Sequence, residues 1–207
     1  MNPTIDSLNI VRKIAETVNT FHHHYHVLYD LATQYYDNDQ MLQYVEIGAY
    51  AGGSACLMLQ RPNTNVISID IGYPINRGVV LNNTSKYNVH GNSYDYVQGD
   101  SHDPLTKESL RSILSKGIDI LFIDGDHSYI GVHEDFNMYE SMVNTGGFII
   151  FDDYNDRMYS PEVKKAVDDL LLKVDSRYLV IGTVPNKLNA SPVEISEGNC
   201  FIIRKTK

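Results

Sequence analysis

Apolar positions in the first 40 residues recur at helical steps. Ile5, Leu8, Val11, Ile14 and Val18 fall three and four apart, which places them on one helical face, and a second helix is expected over residues 26–36. The rhythm then changes. Short, mostly apolar runs at 44–47, 66–69, 118–123 and 148–151 alternate with amphipathic stretches. Runs this apolar suit strands covered on both faces, as in a parallel sheet. The intervening stretches 54–60, 105–114 and 132–142 have room for crossover helices, and Ser160-Pro161-Glu162 reads as the cap and first turn of another. Residues 178–184 and 200–203, separated by a loop with Pro185 and Pro192, suggest a terminal hairpin. The pattern predicts an open α/β sheet, residues 41–207, behind a helical N-terminal extension, residues 1–40.

Length and charge narrow the possibilities. At 207 residues with 43% hydrophobic side chains, the chain can bury a real core as one main domain. Its formal net charge is −9, which disfavours nucleic acid as a partner. No apolar run approaches the ~20 residues needed to cross a bilayer, and no leader pattern opens the chain. Two cysteines, Cys56 and Cys200, make no disulfide framework, so a reducing, cytoplasmic setting is expected.

In an open parallel sheet, ligands bind beyond the carboxyl ends of the strands. The first strand runs into Glu46-Ile47-Gly48-Ala49-Tyr50-Ala51-Gly52-Gly53-Ser54. Gly48 permits a tight turn there, while Gly52 and Gly53 allow close approach to the backbone. Asp70 ends the second strand, 22 residues after Gly48, placed to accept from a ribose diol. These two ends predict an adenosine-type ligand. Tyr50 stands where a dinucleotide fingerprint needs glycine, and a carboxylate at Glu46 suits an ammonium better than a pyrophosphate. S-adenosylmethionine fits both features, although a plain strand-to-helix turn would also explain the glycines. Asp100 and Ser101, after a third strand, are candidates for the adenine; an Asx-closed turn explains them equally well.

The next two apolar runs end in Asp124-Gly125-Asp126-His127-Ser128-Tyr129 and in Asp152-Asp153. If those strands are parallel neighbours, their ends lie roughly 5 Å apart and several carboxylates converge. Such crowding calls for a cation or retained protons. Oxygen ligands favour a hard divalent ion, Mg²⁺ first. The plainer alternative is that Asp152-Asp153 caps a turn and Asp126 is solvated.

Together, the segment from Gly48 to Ser54, the acidic end at Asp70, the run 124–129 and Gly146-Gly147 through Asp153 resemble the class I S-adenosylmethionine-dependent methyltransferases. More narrowly, they resemble the metal-dependent small-molecule O-methyltransferases, which include catechol-type enzymes and those acting on sugar hydroxyls. The resemblance covers roughly residues 40–155. It implies a Rossmann-like seven-stranded, mostly parallel sheet with an antiparallel last strand and helices on both faces. It implies that Glu46, Gly48, Ala49, Tyr50, Gly52 and Ser54 border the methionine part, Asp70 the ribose, and Asp100 and Ser101 the adenine. Asp124, Asp152 and Asp153 fall on the metal-ligand positions. His127 falls where catechol-type enzymes carry a catalytic lysine, and is the candidate base alongside Asp124. The chain has no tryptophan to wall an aromatic acceptor, so the expected acceptor is a small hydroxylated molecule such as a sugar.

Other features carry less. His22, His23, His24 and His26 read as a solvated helix junction rather than a metal site. In this fold the N-terminal segment can cover the acceptor or join two subunits, and some of the 15 tyrosines could line the acceptor pocket. A metal-dependent phosphohydrolase and a non-catalytic adenosine-binding module are the alternatives to methyl transfer.

Overall fold

The computed structural model describes residues 5–15, 18, 25–173, 176–184 and 199–207. His22, His23 and His24, like Pro185 and Pro192, lie outside the described residues; His26 is buried at the start of the second helix. Two helices, α1 (Ile5–Ala15) and α2 (His26–Tyr35), precede an alternating series: β1 (Leu42–Ile47), α3 (Gly53–Met58), β2 (Thr64–Asp70), α4 (Arg77–Tyr87), β3 (Tyr94–Gln98), α5 (Pro104–Ile113), β4 (Ile118–Ile123), α6 (Tyr129–Tyr139), β5 (Val143–Phe151) and α7 (Val163–Leu171). Strands β6 (Tyr178–Thr183) and β7 (Phe201–Lys205) close the chain.

The seven strands form one sheet in the order β3-β2-β1-β4-β5-β7-β6. Strands β1 to β5 pair in parallel, and β7 runs antiparallel between β5 and β6, as expected for the hairpin and for the class. Alternation along each strand feeds two cores. Tyr44, Val66, Phe122 and Ile150 pack with α2 and α3 on one face. Val45, Ile67, Leu121 and Ile149 pack with Leu110 of α5, Phe136 of α6 and Val167 of α7 on the other. Each large aliphatic or aromatic side chain so buried contributes about 1.5–3 kcal/mol. No helix among the described residues is long and apolar enough to cross a membrane.

Local chemistry sets the helix starts. Asp103 accepts from Leu105 N beside Pro104, and Ser128 accepts from Gly131 N. Asn76 caps α4, an element missing from the sequence reading because Val79, Val80 and Leu81 are consecutive rather than periodic. Ser160 departs from its expected role. Helix α7 begins at Val163 without a side-chain cap, and the serine hydroxyl turns inward.

At the amino ends of the strands, Arg61 is fully enclosed. Its guanidinium donates to the carbonyls of Ala32, Tyr36, Asp37, Gln40 and Asn63, tying the end of α2 to the starts of β1 and β2. The opposite edge is left for ligands.

Candidate active site

The strand order reverses between β1 and β4, and the crevice outside their carboxyl ends is where an open sheet receives a ligand. A cavity of about 750 Å³ lies there, a volume suited to a small molecule. Its floor is the turn after β1. Gly48 has φ +87°, and a side chain at this position would collide with the carbonyl of Asp124. The turn is stitched to both neighbours, Gly48 N donating to Ile69 O and Asp124 N to Ile47 O, each at 2.9 Å. Gly53, Ala49 and Tyr50 line the cavity. Gly52 serves packing instead: a Cβ there would meet Val80 of α4 at 3.2 Å.

Asp70 lines the same cavity and organises its wall. One oxygen accepts from Ala49 N (2.8 Å) and Tyr50 N (3.0 Å), the other from Gly72 N (2.6 Å) and the Tyr96 hydroxyl (3.3 Å). Asp100, Ser101 and His102 form the far end. Asp100 closes an Asx turn, accepting from His102 N at 2.9 Å, and also lines the cavity. His102 is paired at 3.1 Å with Asp135 of α6, a fully enclosed carboxylate whose pKa burial pushes up.

Glu46 is placed differently from the rest. It is fully buried behind the turn, outside the cavity lining, and accepts from the hydroxyls of Tyr44 (3.0 Å), Ser54 (2.6 Å) and Ser68 (2.6 Å). Burial lifts its pKa to about 7, against the pull of the hydroxyls. Ser54, in turn, meets Glu46 rather than the cavity.

At the other end of the cavity, the ends of β4 and β5 bring the acidic run together with the double aspartate. Their last pair, Ile123 and Phe151, sits in register. Asp124, His127 and Asp153 each offer a ligand atom within 4.8 Å of the others. Asp152 falls outside that group; it is buried, with Cys200 Sγ 3.6 Å from its Oδ1. His127 Nε2 lies 3.2 Å from Asp124 Oδ1, and His127 Nδ1 lies 2.8 Å from Ser160 Oγ. Burial, reinforced by the charges of Asp152 and Asp153, raises the Asp124 pKa. The hydrogen bond to Asp124 raises His127 to about 9. Carboxylates crowded this way match a hard cation by donor chemistry.

Two contributors escaped the sequence. Tyr25, at the entrance to α2, lines the cavity and donates from its hydroxyl to Asp124 Oδ2 at 3.3 Å. Nothing in the chain singles it out among the tyrosines, because the contact spans 99 positions. Ser160 was visible only as a helix-start signal.

Sheet order, antiparallel β7 and a cleft at the β1–β4 reversal define the class I methyltransferase fold, the one built around S-adenosylmethionine. The methyltransferase domain family matches residues 45–154, and the chain belongs to that family. Protein R132 of Acanthamoeba polyphaga mimivirus, described as uncharacterized, is 40% identical over 200 residues, covering 89% of this chain and 88% of the relative. Among solved structures, an O-methyltransferase from Bacillus cereus in complex with SAH shares the fold at 16% identity, with a TM-score of 0.64, over 100% of this chain and 93% of that one. MycE, from the mycinamycin biosynthetic pathway, in complex with Mg and SAH, shares it at 18% identity with a TM-score of 0.63, over 98% of this chain and 55% of that one. Family membership leaves the phosphohydrolase alternative without support.

Proposed function

We propose that the protein transfers the methyl group of S-adenosylmethionine to a hydroxyl of a small molecule, a sugar being the acceptor class that best suits the site. The carrying observation is the meeting of Asp124, His127 and Asp153 at one end of a cavity whose other parts are walled by Asp70 and Asp100. On this reading the adenosine lies along Asp70, Asp100 and Ser101, and the methionine part lies over the Gly48–Ala49–Tyr50 turn. Glu46, one layer behind, anchors that turn through Ser54 and Ser68.

Asp124 and Asp153 would hold a divalent cation, Mg²⁺ first, with Asp152 supporting them from behind. When bound, such an ion lowers the pKa of a neighbouring hydroxyl and neutralises the aspartates. The charges of Asp124 and Asp153 hold the His127 pKa up; with those charges offset, His127 would take the hydroxyl proton. The acceptor oxygen then forms its bond to the methyl carbon as the carbon–sulfur bond breaks, and S-adenosylhomocysteine leaves as a neutral thioether. Alignment of the two reactants supplies much of the rate. The N-terminal segment borders the acceptor end through Tyr25, at the entrance to α2, and a homodimer contact through the same segment is its second use. Free, buried Cys56 and Cys200 fit a cytoplasmic setting.

Calorimetry with S-adenosylmethionine, S-adenosylhomocysteine and NAD, each with and without Mg²⁺, tests the donor. The two adenosyl compounds should bind and NAD should not; preference for NAD overturns the reading. A screen of sugar and phenol acceptors follows. Asp124→Ala and Asp153→Ala should abolish turnover and Mn²⁺ binding while S-adenosylhomocysteine still binds. Full activity in EDTA removes the cation from the reaction.

A further inference from the structure

Tyr25 stands at the N-cap position of α2 without capping it: no side-chain hydrogen bond closes the helix start there. Its side chain is turned toward the end of β4 instead. Side chains alternate along a strand, so Phe122 and Asp124, two residues apart, leave the sheet on the same face, the one that α2 covers. Tyr25 meets both. Its ring stands edge-on to Phe122, centroids 5.8 Å apart and planes at 90°, and its hydroxyl donates to Asp124 Oδ2 at 3.3 Å. Phe122 is fully enclosed and Tyr25 is buried, so the ring that carries this donor is held by packing.

The two oxygens of Asp124 therefore face different parts of the molecule. Oδ1 lies 3.2 Å from His127 Nε2, and Oδ2 faces the Tyr25 hydroxyl. An aspartate carboxyl swivels readily about its last torsion, whose energy wells are broad. A donor on Oδ2, fixed by a ring packed on the same strand end, sets that torsion and leaves Oδ1 toward His127. We propose that Tyr25 is a positioning residue of the cation site, orienting the Asp124 carboxylate from behind, so that the entrance to α2 helps to set the affinity for a divalent ion. The proposal rests on the reading of Asp124 and Asp153 as cation ligands. It also gives the ion a distant effect. Coupling of binding free energies is reciprocal, so an ion that is held better because Tyr25 is in place must in turn hold Tyr25, and with it the start of α2, more firmly.

The test uses the full chain with Mn²⁺ or Mg²⁺ alone as the probe. Electron paramagnetic resonance of free Mn²⁺ gives the dissociation constant. Tyr25→Phe keeps the ring against Phe122 and loses the hydroxyl, so Mn²⁺ should bind about ten- to a hundredfold more weakly, the range for removal of an outer hydrogen-bond partner of a metal ligand. The urea-unfolding midpoint should stay at its wild-type value. A packing role alone would do the reverse, lowering the midpoint and leaving the Mn²⁺ affinity of the folded chain unchanged. Tyr25→Met, flexible enough to fill the same space and without a donor, gives the same reading should the phenylalanine variant fold badly. In wild type, Mg²⁺ should slow amide hydrogen exchange in α2, residues 26–35, and Tyr25→Phe should lose this slowing. Wild-type Mn²⁺ affinity in Tyr25→Phe, or α2 exchange in wild type that ignores Mg²⁺, overturns the proposal and spares the cation site. Failure of wild type to bind Mn²⁺ at all overturns both.

Discussion

Replacing Glu46 by glutamine should change how stability depends on pH, by an amount the structure sets. The carboxylate is sealed in the protein with three hydroxyls around it, and burial moves its pKa from the ordinary 4.5 to about 7. Between those values the folded chain keeps a proton that the unfolded chain has released. Folding stability from this group is therefore complete below about pH 4.5 and is lost as pH rises through about 7. The gap corresponds to about 3 kcal/mol at 1.36 kcal/mol per pH unit. Glutamine does not titrate, so the unfolding free energy of Glu46→Gln minus that of wild type should climb by about 3 kcal/mol from pH 4.5 to pH 8. Groups common to both proteins, Asp124 and His127 among them, cancel in that difference. Urea unfolding followed by far-UV circular dichroism is the assay, since the chain has no tryptophan to report by fluorescence. A difference that stays flat across this range, or falls, refutes the assignment of Glu46 as an enclosed, proton-retaining acid.

Substitutions at three further positions separate scaffold from site. Arg61→Met strands the carbonyls of Ala32, Tyr36, Asp37 and Gln40, at about 1–3 kcal/mol each, and should lower the urea-unfolding free energy by more than about 4 kcal/mol. Arg61→Lys should recover only part of this, because one ammonium cannot span the same set of acceptors. Asp70→Asn removes a charged acceptor from Ala49 N and Tyr50 N and should weaken S-adenosylhomocysteine binding by about tenfold or more in calorimetry, with Mn²⁺ binding intact. Gly48→Ala forces a side chain into a left-handed turn, costing about 1–2 kcal/mol before its collision with Asp124, and should weaken donor and Mn²⁺ together.

The legible parts of the chain were those where chemistry and periodicity coincide. The runs that became the centres of β1, β2 and β4 are mostly apolar, so their burial on both faces could be read directly. Asp70, Asp124 and Asp153 were legible because each follows such a run, and a parallel sheet delivers every strand end to one edge. The start of β5 was not legible: Asn144, Thr145, Gly146 and Gly147 look like a loop, and the pairing with β4 shifts register beneath them. Glu46 reads in the sequence as a carboxylate facing a ligand's ammonium; the structure encloses it behind the turn, and that enclosure depends on Ser68 from the neighbouring strand, which spacing along β1 cannot reveal. Tyr25 and Ser160 reach the aspartates from α2 and from the loop before α7, through contacts that local pattern does not encode.

The turn at Gly48 and the backbone of Asp124 touch without room for a single methyl group between them, and a hydrogen bond from Asp124 N to Ile47 O locks the two together. With donor and cation bound as proposed, a shift on one side is transmitted to the other through main chain alone. The two occupants then belong to one thermodynamic cycle, and the factor by which Mg²⁺ changes the affinity for S-adenosylmethionine must equal the factor by which S-adenosylmethionine changes the affinity for Mg²⁺. Both ligands are cations, so mutual repulsion enters that factor, and it is relieved once the sulfonium becomes an uncharged sulfide.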